Sequence, residues 1–438
     1  MALSIEYTRK IDEITKALTQ RMYHPKTELS FSGFFTYDRL SLQEAELRER
    51  TPLPVGMPWG YKWQYGWFFA ELTVPDSCVG QPLLFASLLG ECVVFVNGRV
   101  VGAFDHRHSH IKLTDCAKAG EKFSIAMEVY AGHDEAPDNG WLGGPQNFVV
   151  LVPEQNIQDL PEDVLRKTIK PVTAGLFSED VFQLWMDFTL LYGLRNNLEE
   201  DSLRRANIDK GIKKVCDMLD IEAPTAEFEA ECVKAREILR PLLECKNGST
   251  APVIYAIGNS HLDLEWLWTK EETRRKTART LGNQLELMKD YPDYKFISSQ
   301  PWILETVKNE YPELFERVKQ AVKDGQIIVE GSAYVEPDAN IPSGESLVRQ
   351  FLMGKKFVKD EFGINNEIFW LPDSFGMTGS LPQIMKGCGI NYFFNAKITW
   401  LYNDGERFPH GNFTWEGIDG TKVLTHIVEM SWHPSILP

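Results

Sequence analysis

The sequence predicts a multidomain protein in which an all-β sandwich, a helical linker and an α/β domain follow one another. Three patterns predict this order. From about residue 25 to 155, short apolar or β-branched runs alternate with Gly, Pro and Asp turns, which is typical of a sandwich of short strands. From about 157 to 247, apolar residues recur three and four positions apart, as on helices. From 253 onward, strand-like and helical segments alternate, which indicates a parallel sheet with crossovers, either a barrel or a doubly wound sheet.

These patterns divide the chain into four segments. The first is an amphipathic helix that has neither the basic end nor the apolar core of a signal peptide. The turn-rich stretch KNGSTAP at 246–252 marks the last boundary. We therefore predict an N-terminal helix over residues 1–24, a β-sandwich domain over 25–156, a helical linker region over 157–249 and an α/β domain over 250–438.

The β-rich segment is similar to the jelly-roll modules that are attached to many glycosidases. Its strand-like runs include CVVFV and RVVGAF, and Asn97 and Gly98 between them predict a type I′ hairpin because both residues tolerate positive φ. Aromatic residues of this segment either fill its core, which is the commoner role in strands, or stack on sugar rings. The tryptophans in question are Trp59, Trp63, Trp67 and Trp141.

Charge and composition exclude several classes of partner. With 62 acidic and 46 basic residues, the formal net charge of −16 disfavours nucleic acid and anionic membranes. Apolar stretches of the roughly 18 residues that a membrane span needs do not occur in the sequence. The seven cysteines are scattered and none forms a Cys-x-x-Cys pair, so we expect a reducing, cytoplasmic location. The composition does not decide whether the protein forms a homo-oligomer.

Polar residues follow three of the predicted strands in the α/β segment. In such folds, functional groups gather at the carboxyl ends of the strands. We therefore expect the three groups to meet in one cleft. They are His261 and Asp263 after VIYAIGNS, then Glu336, Asp338 and Asn340 after QIIVEGSAYV, and Asp373 after EIFWLP.

The residue types in these groups allow more than one role. Imidazole and carboxylate are good zinc ligands, so His261 and Asp263 predict a metal site, although a capped turn has the same pattern. Asp373 lies between aromatic segments and is a candidate nucleophile or acid/base, or else a helix N-cap. Asp338 and Asn340 either contact the substrate, Asp338 most of all, or cap the loop before SGESLVRQF.

Three longer stretches carry a specific resemblance. GNSHLDLEWLW resembles the first signature of glycoside hydrolase family 38 α-mannosidases, His-x-Asp-x-x-Trp, and WLPDSFGMTGSLPQI resembles the second, an aromatic residue followed by Asp-x-Phe-Gly. GSAYVEPDANIPSGESLVRQFLMG resembles the intervening region in the form typical of the cytosolic and bacterial branch. The resemblance covers roughly residues 250–438 and keeps the order and spacing of the motifs.

The resemblance implies a zinc-dependent retaining α-mannosidase that acts on mannose-containing oligosaccharides, with an incomplete β/α barrel as its catalytic domain. His261, Asp263 and Asp373 match zinc ligands, and Asp373 also matches the nucleophile. Trp266 and Phe375 match aromatic walls of the sugar subsite. The family's fourth zinc ligand, a His, and its general acid are expected downstream of residue 438, so we expect this chain to be the N-terminal portion of the enzyme.

Two other classes of function stay open. A zinc-dependent polysaccharide deacetylase also uses His and Asp at strand ends, but it needs more His than this region offers, and it releases acetate. A sugar-binding fragment without activity would bind glycans even when a chelator is present.

Overall fold

A computed structural model describes residues 4–132 apart from 88, 106 and 107, residues 167–399 apart from 252 and 267, and residues 410–428. Trp141 and the predicted strand QNFVVLVP lie outside these ranges. Within the ranges, no helix combines the length and the apolarity that crossing a membrane requires. The order of a β-sandwich, a helical region and an α/β region confirms the predicted fold class.

The N-terminal domain begins with a helix and continues as a series of short strands. Ser41 begins a short helix by a capping box in which its hydroxyl accepts the N–H of Glu44. The elements are α1 (Ile5–Arg21), β1 (Tyr23–Glu28), β2 (Phe31–Thr36), α2 (Leu42–Glu46), β3 (Thr51–Leu53), β4 (Pro58–Trp59), β5 (Tyr65–Thr73), β6 (Leu83–Ser87), β7 (Cys92–Val96), β8 (Arg99–Phe104), β9 (His110–Thr114), β10 (Lys122–Tyr130), β11 (Lys167–Thr168) and β12 (Val172–Phe177).

Two antiparallel sheets make the sandwich. One has the order β3-β2-β5-β10-β7-β8 and the other β1-β12-β6-β9. The predicted hairpin between β7 and β8 is confirmed, with φ of 51° at Asn97 and 80° at Gly98. Trp59 and Trp67 are each 1% exposed, so both belong to the interior rather than to a surface that stacks on sugars. Trp63 is half-buried.

The structure differs from the predicted boundary between the sandwich and the linker. Residues 172–177, which were assigned to the helical linker, form β12, and this strand pairs with both β1 and β6. Its VTAGLF sequence is too short for a helical repeat, and pairing with two neighbours satisfies its backbone groups. The strand β1 likewise begins at Tyr23, inside the segment predicted as the N-terminal helix.

The helical region has its own core, to which the N-terminal helix contributes. Ile11, Ile14 and Leu18 of α1 are buried against apolar side chains of three later helices. A buried ion pair joins two of these helices, with Arg195 Nε 2.7 Å from Asp209 Oδ1. The three helices are α3 (Glu179–Asn196), α4 (Leu203–Met218) and α5 (Thr225–Leu243).

The α/β region alternates strands and helices as predicted. Pro312 occupies the first position of a helix and separates it from the preceding one, as expected for proline. The elements are β13 (Gly258–Asn259), α6 (Lys270–Asp290), β14 (Phe296–Ser298), α7 (Pro301–Glu310), α8 (Pro312–Lys323), β15 (Ile327–Val329), α9 (Gly344–Phe362), β16 (Ile368–Leu371), α10 (Leu381–Gly387), β17 (Tyr392–Asn395), β18 (Asn412–Glu416) and β19 (Lys422–Ile427).

The strands of this region form an open parallel arrangement. β13, β14 and β15 are parallel, and so are β16, β17 and β19, whereas β18 runs antiparallel at one edge. Isolated parallel bridges link the two groups of strands, one between Gly331 and Phe369 and one between Ala339 and Met377. Within the described residues the strands do not close into a barrel, in agreement with the expected incomplete barrel.

The first strand is shorter than the sequence predicts. VIYAIGNSH was expected to be a buried strand, but only Gly258 and Asn259 pair, and Tyr255 is 92% exposed. β13 pairs with β14 along one edge, and its other edge has no partner strand among the described residues. Because β13 has no strand on its second edge among the described residues, the apolar residues 253–257 before it stay outside the sheet.

Candidate metal centre

His261 and Asp263 lie in the loop that leaves β13. Their side chains turn toward each other, with His261 Nε2 3.3 Å from Asp263 Oδ1. The backbone of this loop is held by buried groups of neighbouring elements, since the Gln300 amide donates to the Leu262 carbonyl at 2.8 Å. The two residues of the His-x-Asp motif therefore point into the same space.

Asp373 reaches the same space from the loop after β16. Its Oδ2 lies 3.4 Å from His261 Nε2, and its Oδ1 lies 2.8 Å from Lys397 Nζ. Ligand atoms of His261, Asp263 and Asp373 all lie within 4.8 Å of one another. The structure thus brings together the three residues that the sequence suggested as metal ligands.

The electrostatics of the cluster favour a cation at its centre. Burial of His261 opposes its charged form, but contacts with the surrounding carboxylates outweigh burial and raise the pKa of the imidazole to about 12. Burial would raise the pKa of Asp373, yet hydrogen bonds from His261 and Lys397 hold it below its usual value. Anionic groups therefore surround the Nε2 side of the imidazole.

The donor set and its spacing fit a zinc ion. Zinc takes imidazole nitrogen and carboxylate oxygen at about 2.0–2.2 Å, which sets neighbouring ligand atoms of a tetrahedron about 3.3–3.6 Å apart. The distances from His261 Nε2 to the nearest oxygens of Asp263 and Asp373 are 3.3 and 3.4 Å. These two edges fit a tetrahedral zinc site, and the ligand atoms of all three residues lie within 4.8 Å of one another.

Glu336 contacts His261 from the opposite side of the ring. Its Oε2 lies 2.9 Å from His261 Nδ1, and its Oε1 accepts a hydrogen bond from Ser299 Oγ at 3.0 Å. Sequence reasoning expected Asp338 to be the most important acid of this loop. The structure instead places Glu336 against the cluster.

Asp338 and Asn340 lie further along the same loop as Glu336, and both are exposed. Asp338 Oδ1 accepts the backbone N–H groups of Asn340 and Ile341 at 2.8 and 2.7 Å, which is the loop-capping arrangement. A Cβ added at Gly376 would lie 3.8 Å from the Asn340 side chain, so this loop adjoins the loop of Asp373. The substrate role of the two residues stays a prediction.

Two exposed aromatic residues lie on the loops that carry the cluster. Trp266 is 40% exposed and meets Trp268 edge to face, with ring centroids 5.4 Å apart. Phe375 is 52% exposed and has Lys397 Nζ 4.8 Å from its ring centre. Exposed aromatic faces beside a polar cluster are suited to binding a sugar ring.

Sequence reasoning did not identify four other residues of the site. Ser299 and Gln300 follow β14 directly, so the signal of polar residues after a buried strand was present. Lys397 follows β17 in the same way. Thr273 is buried in the first turn of α6, and its hydroxyl contacts the backbone of the His261 loop, which no pattern in the sequence indicates.

Two parts of the chain match known families. Residues 251–436 match the family described as Glycosyl hydrolases family 38 N-terminal domain. Residues 27–156 match the family described as Alpha-mannosidase, jelly roll domain.

Relatives extend over most of the chain. Alpha-mannosidase 2C1 of Homo sapiens is 35% identical over 396 residues, which is 90% of this chain and 36% of that protein. Alpha-mannosidase G of Dictyostelium discoideum is 33% identical over 336 residues, 76% of this chain and 29% of that protein. An alpha-mannosidase of Saccharomyces cerevisiae is 36% identical over 255 residues, 57% of this chain and 23% of that protein. The chain thus spans between 23% and 36% of the length of these relatives.

Proposed function

Because the chain belongs to glycosyl hydrolase family 38, we propose that it forms the nucleophile-bearing part of a zinc-dependent retaining α-mannosidase. Its substrates would be oligosaccharides that end in α-linked mannose. The observation that carries the proposal is the cluster of His261, Asp263 and Asp373 at the carboxyl ends of parallel strands. Names of the relatives add support, since they are α-mannosidases.

In this proposal His261 Nε2 and one oxygen each of Asp263 and Asp373 hold the zinc ion. Bound zinc would supply positive charge that orients sugar hydroxyls. Trp266 and Phe375 would flank the sugar ring, because their faces are exposed on the same two loops. Apolar faces and a few polar groups that converge are the usual composition of such a subsite.

Asp373 is the proposed nucleophile. His261 and Lys397 lower the pKa of Asp373, so its carboxylate is ionised at neutral pH. A carboxylate oxygen would form a bond to the anomeric carbon as the glycosidic bond breaks and the leaving oxygen takes a proton. Water would then release mannose from the ester with overall retention. Glu336 is a poor candidate for the proton donor because it is bound to the far side of the His261 ring.

We also infer a cytoplasmic location, which the cysteines support. All seven are free thiols in the structure, and four of them are buried. Free, scattered thiols are typical of proteins in reducing compartments.

The substitution Asp373→Asn tests the proposed reaction in the longest protein that contains this chain. We expect loss of hydrolysis of an activated aryl α-mannoside together with lower zinc content. The matched control is Asp360→Asn, an exposed aspartate that pairs with Lys356, and it should retain both properties. Covalent trapping with 5-fluoro-mannosyl fluoride should label Asp373. A label on another residue, inversion of the product, or release of acetate instead of mannose would refute the proposal.

A further inference from the structure

We propose that Glu336 is a positioning residue that holds His261, when zinc is bound, in the tautomer with the proton on Nδ1 and the lone pair of Nε2 directed at the zinc position between Asp263 and Asp373. This inference rests on the proposed zinc site. It assigns a role to the one acid of the Glu336–Asn340 loop that touches the cluster. It concerns how a ligand is presented, and it does not place Glu336 among the catalytic residues.

The geometry around the imidazole separates its two nitrogens. Nδ1 lies 2.9 Å from Glu336 Oε2, whereas Nε2 lies 3.3 Å from Asp263 Oδ1 and 3.4 Å from Asp373 Oδ2. A carboxylate accepts hydrogen bonds and cannot donate them when ionised. Glu336 therefore favours a proton on Nδ1. Nε2 faces the other two acids, and it would present its lone pair to a zinc ion held between them.

Glu336 is itself held in place by buried neighbours. Its Oε1 accepts from Ser299 Oγ at 3.0 Å, and its backbone N–H donates to Gln300 Oε1 at 3.3 Å. Ser299 and Gln300 are both buried, and the Glu336 side chain is 6% exposed. A carboxylate fixed at both its side chain and its backbone has little freedom to leave Nδ1.

The same neighbours also fix the loop that carries the ligands. The Gln300 side chain, which accepts from Glu336, donates to the carbonyl of Leu262, between His261 and Asp263. Parallel pairing of β13 with β14, and of β14 with β15, places the ends of the three strands side by side. One buried polar network thus joins the orienting acid to the backbone of the His-x-Asp motif.

Removal of such an outer partner reduces metal affinity by about tenfold to hundredfold in other metalloproteins. A purely structural role for Glu336 predicts a different result, namely lower stability with unchanged metal affinity. Glu330 offers a matched control because it is also a partly buried glutamate near the end of β15. Its Oε1 accepts backbone N–H groups of Glu367 and Ile368 at 3.1 and 3.0 Å. Substitution of Glu330 should therefore change stability without changing zinc affinity.

The experiment measures the zinc affinity of the longest protein that contains this chain, by competition with a chromophoric chelator and with no glycoside present. We expect Glu336→Ala to weaken zinc binding by about tenfold to hundredfold. Glu336→Gln should weaken it less, because its amide oxygen still accepts the Nδ1 proton. Glu330→Gln should leave the affinity unchanged even if it lowers the thermal midpoint.

Nitrogen-15 NMR of the histidines in the zinc-loaded chain gives a direct readout of the tautomer. We expect the wild-type spectrum to show zinc on Nε2 and a proton on Nδ1 of His261. Zinc on Nδ1, or equal affinities for wild type and Glu336→Ala, would overturn the role of Glu336. If Glu336→Ala does not fold, the wild-type spectrum alone decides whether His261 has the expected tautomer. If the longest wild-type protein that contains this chain binds no zinc, that result would instead overturn the zinc site of the proposed function.

Discussion

At the scale of single residues, the charge of Asp373 depends on two cationic neighbours. Partial burial alone would raise the pKa of this carboxyl group and keep it protonated. Hydrogen bonds from His261 and Lys397 reverse that tendency and lower the pKa. Lys397 Nζ lies 2.8 Å from Oδ1, whereas His261 approaches Oδ2. Lys397 is therefore the neighbour best placed to keep Asp373 ionised whatever occupies the metal site.

Replacement of Lys397 by Met should reduce turnover. A hydrogen bond to a charged group contributes about 1.5–3 kcal/mol, so we expect kcat/KM for an aryl α-mannoside to fall roughly tenfold to hundredfold. Loss of the cation raises the pKa of Asp373, so the acid limb of the pH profile should move to higher pH. Lys397→Arg should restore part of the activity.

The matched control for Lys397 is Lys356→Met, which removes an exposed lysine that pairs with Asp360 on the surface of α9. It should leave the pH profile unchanged. An acid limb that does not move in Lys397→Met would show that Lys397 does not set the charge of Asp373.

The sequence allowed prediction of the three clustered residues, but not of the residues that hold them in place. His261, Asp263 and Asp373 were expected to converge because they follow parallel strands, and the structure brings them together. Glu336 was placed near the site but ranked below Asp338. Which of two acids in one loop reaches the cluster depends on the path of the loop, and strand periodicity carries no information about that path.

At the scale of secondary structure, the first turn of α6 secures the loop of the ligands. Thr273 is buried, and its hydroxyl lies 2.9 Å from the carbonyl oxygen of Asp263 and 2.7 Å from that of Leu264. The hydroxyl also accepts from Trp268 Nε1 at 2.9 Å. One side chain therefore ties the helix to the backbone carbonyl of a proposed ligand and to that of the next residue.

Thr273→Val should loosen the loop while keeping the shape of the side chain. Buried polar groups left without a partner cost about 1–3 kcal/mol each. We expect lower stability in urea unfolding and faster loss of zinc to a chelator. Thr273→Ser keeps the hydroxyl, so it should release zinc at the wild-type rate. Equal release rates for the Val and Ser variants would contradict this role.

Glu361 of α9 links three helices by ion pairs. It lies 2.6 Å from Lys308 of α7 and 3.3 Å from Lys319 of α8. The hydrogen bond from Lys308 is the main cause of its lowered pKa. A carboxyl group whose pKa is lower in the folded state stabilises the fold above its unfolded pKa. That contribution is lost as the pH falls through the folded pKa.

Glu361→Gln should therefore reduce the free energy of unfolding at pH 7 by about 0.5–1 kcal/mol, since solvent screens these pairs. The difference from wild type should shrink as the pH falls below about 4.3. Urea unfolding at several pH values measures this, with Glu345→Gln, an exposed partner of Arg349, as the control. A difference that grows in acid would contradict the assignment.

Helices of this protein were easier to predict than strands. The 21-residue α6 and the break before Pro312 have strong local signals, so both were predicted correctly. β12 was not predicted as a strand, and residues 253–257 were wrongly predicted as one. A strand forms only where a partner strand is available. The two partners of β12 are β1 and β6, and β1 is about 150 residues away, beyond the reach of any local pattern.

At the scale of the whole molecule, the β-sandwich packs directly against the α/β region. Trp67 and Phe95 of the sandwich share one apolar cluster with Ala278 and Leu281 of α6. The face of the sandwich that carries Trp67 is therefore an interface between domains.

Buried charges accompany this apolar contact. Arg275 Nε lies 2.8 Å from Glu128 Oε1, and both side chains are almost completely buried. Tyr65 donates to Glu272 at 2.6 Å, and Glu272 also pairs with Arg279. Since Glu128 and Tyr65 belong to the sandwich and the others to α6, polar groups as well as apolar ones fix how the domains dock.

This interface could not be predicted from the sequence. KEETRRKTARTLG has the charge pattern of a solvated helix, because charged side chains are rarely buried. Glu272 and Arg279 pair with each other within α6, but the carboxylate that compensates buried Arg275 is Glu128 of the docked sandwich. The position of α6, and with it Thr273, therefore depends on a domain that contributes no residue to the proposed metal site.

Arg275→Met tests this dependence. Removing one partner of a buried ion pair leaves the other charge uncompensated and costs about 3–5 kcal/mol, whereas replacing both by apolar side chains is often neutral. We therefore expect a large loss of stability in Arg275→Met and in Glu128→Met, and recovery of most of it in the double variant. If docking of the sandwich positions α6, the single variants should also release zinc faster, and the double variant should return to the wild-type rate. Additive losses in the double variant would show that the two residues do not act as a pair. Zinc release that stays constant while stability changes would show that the sandwich supports the fold without supporting the site.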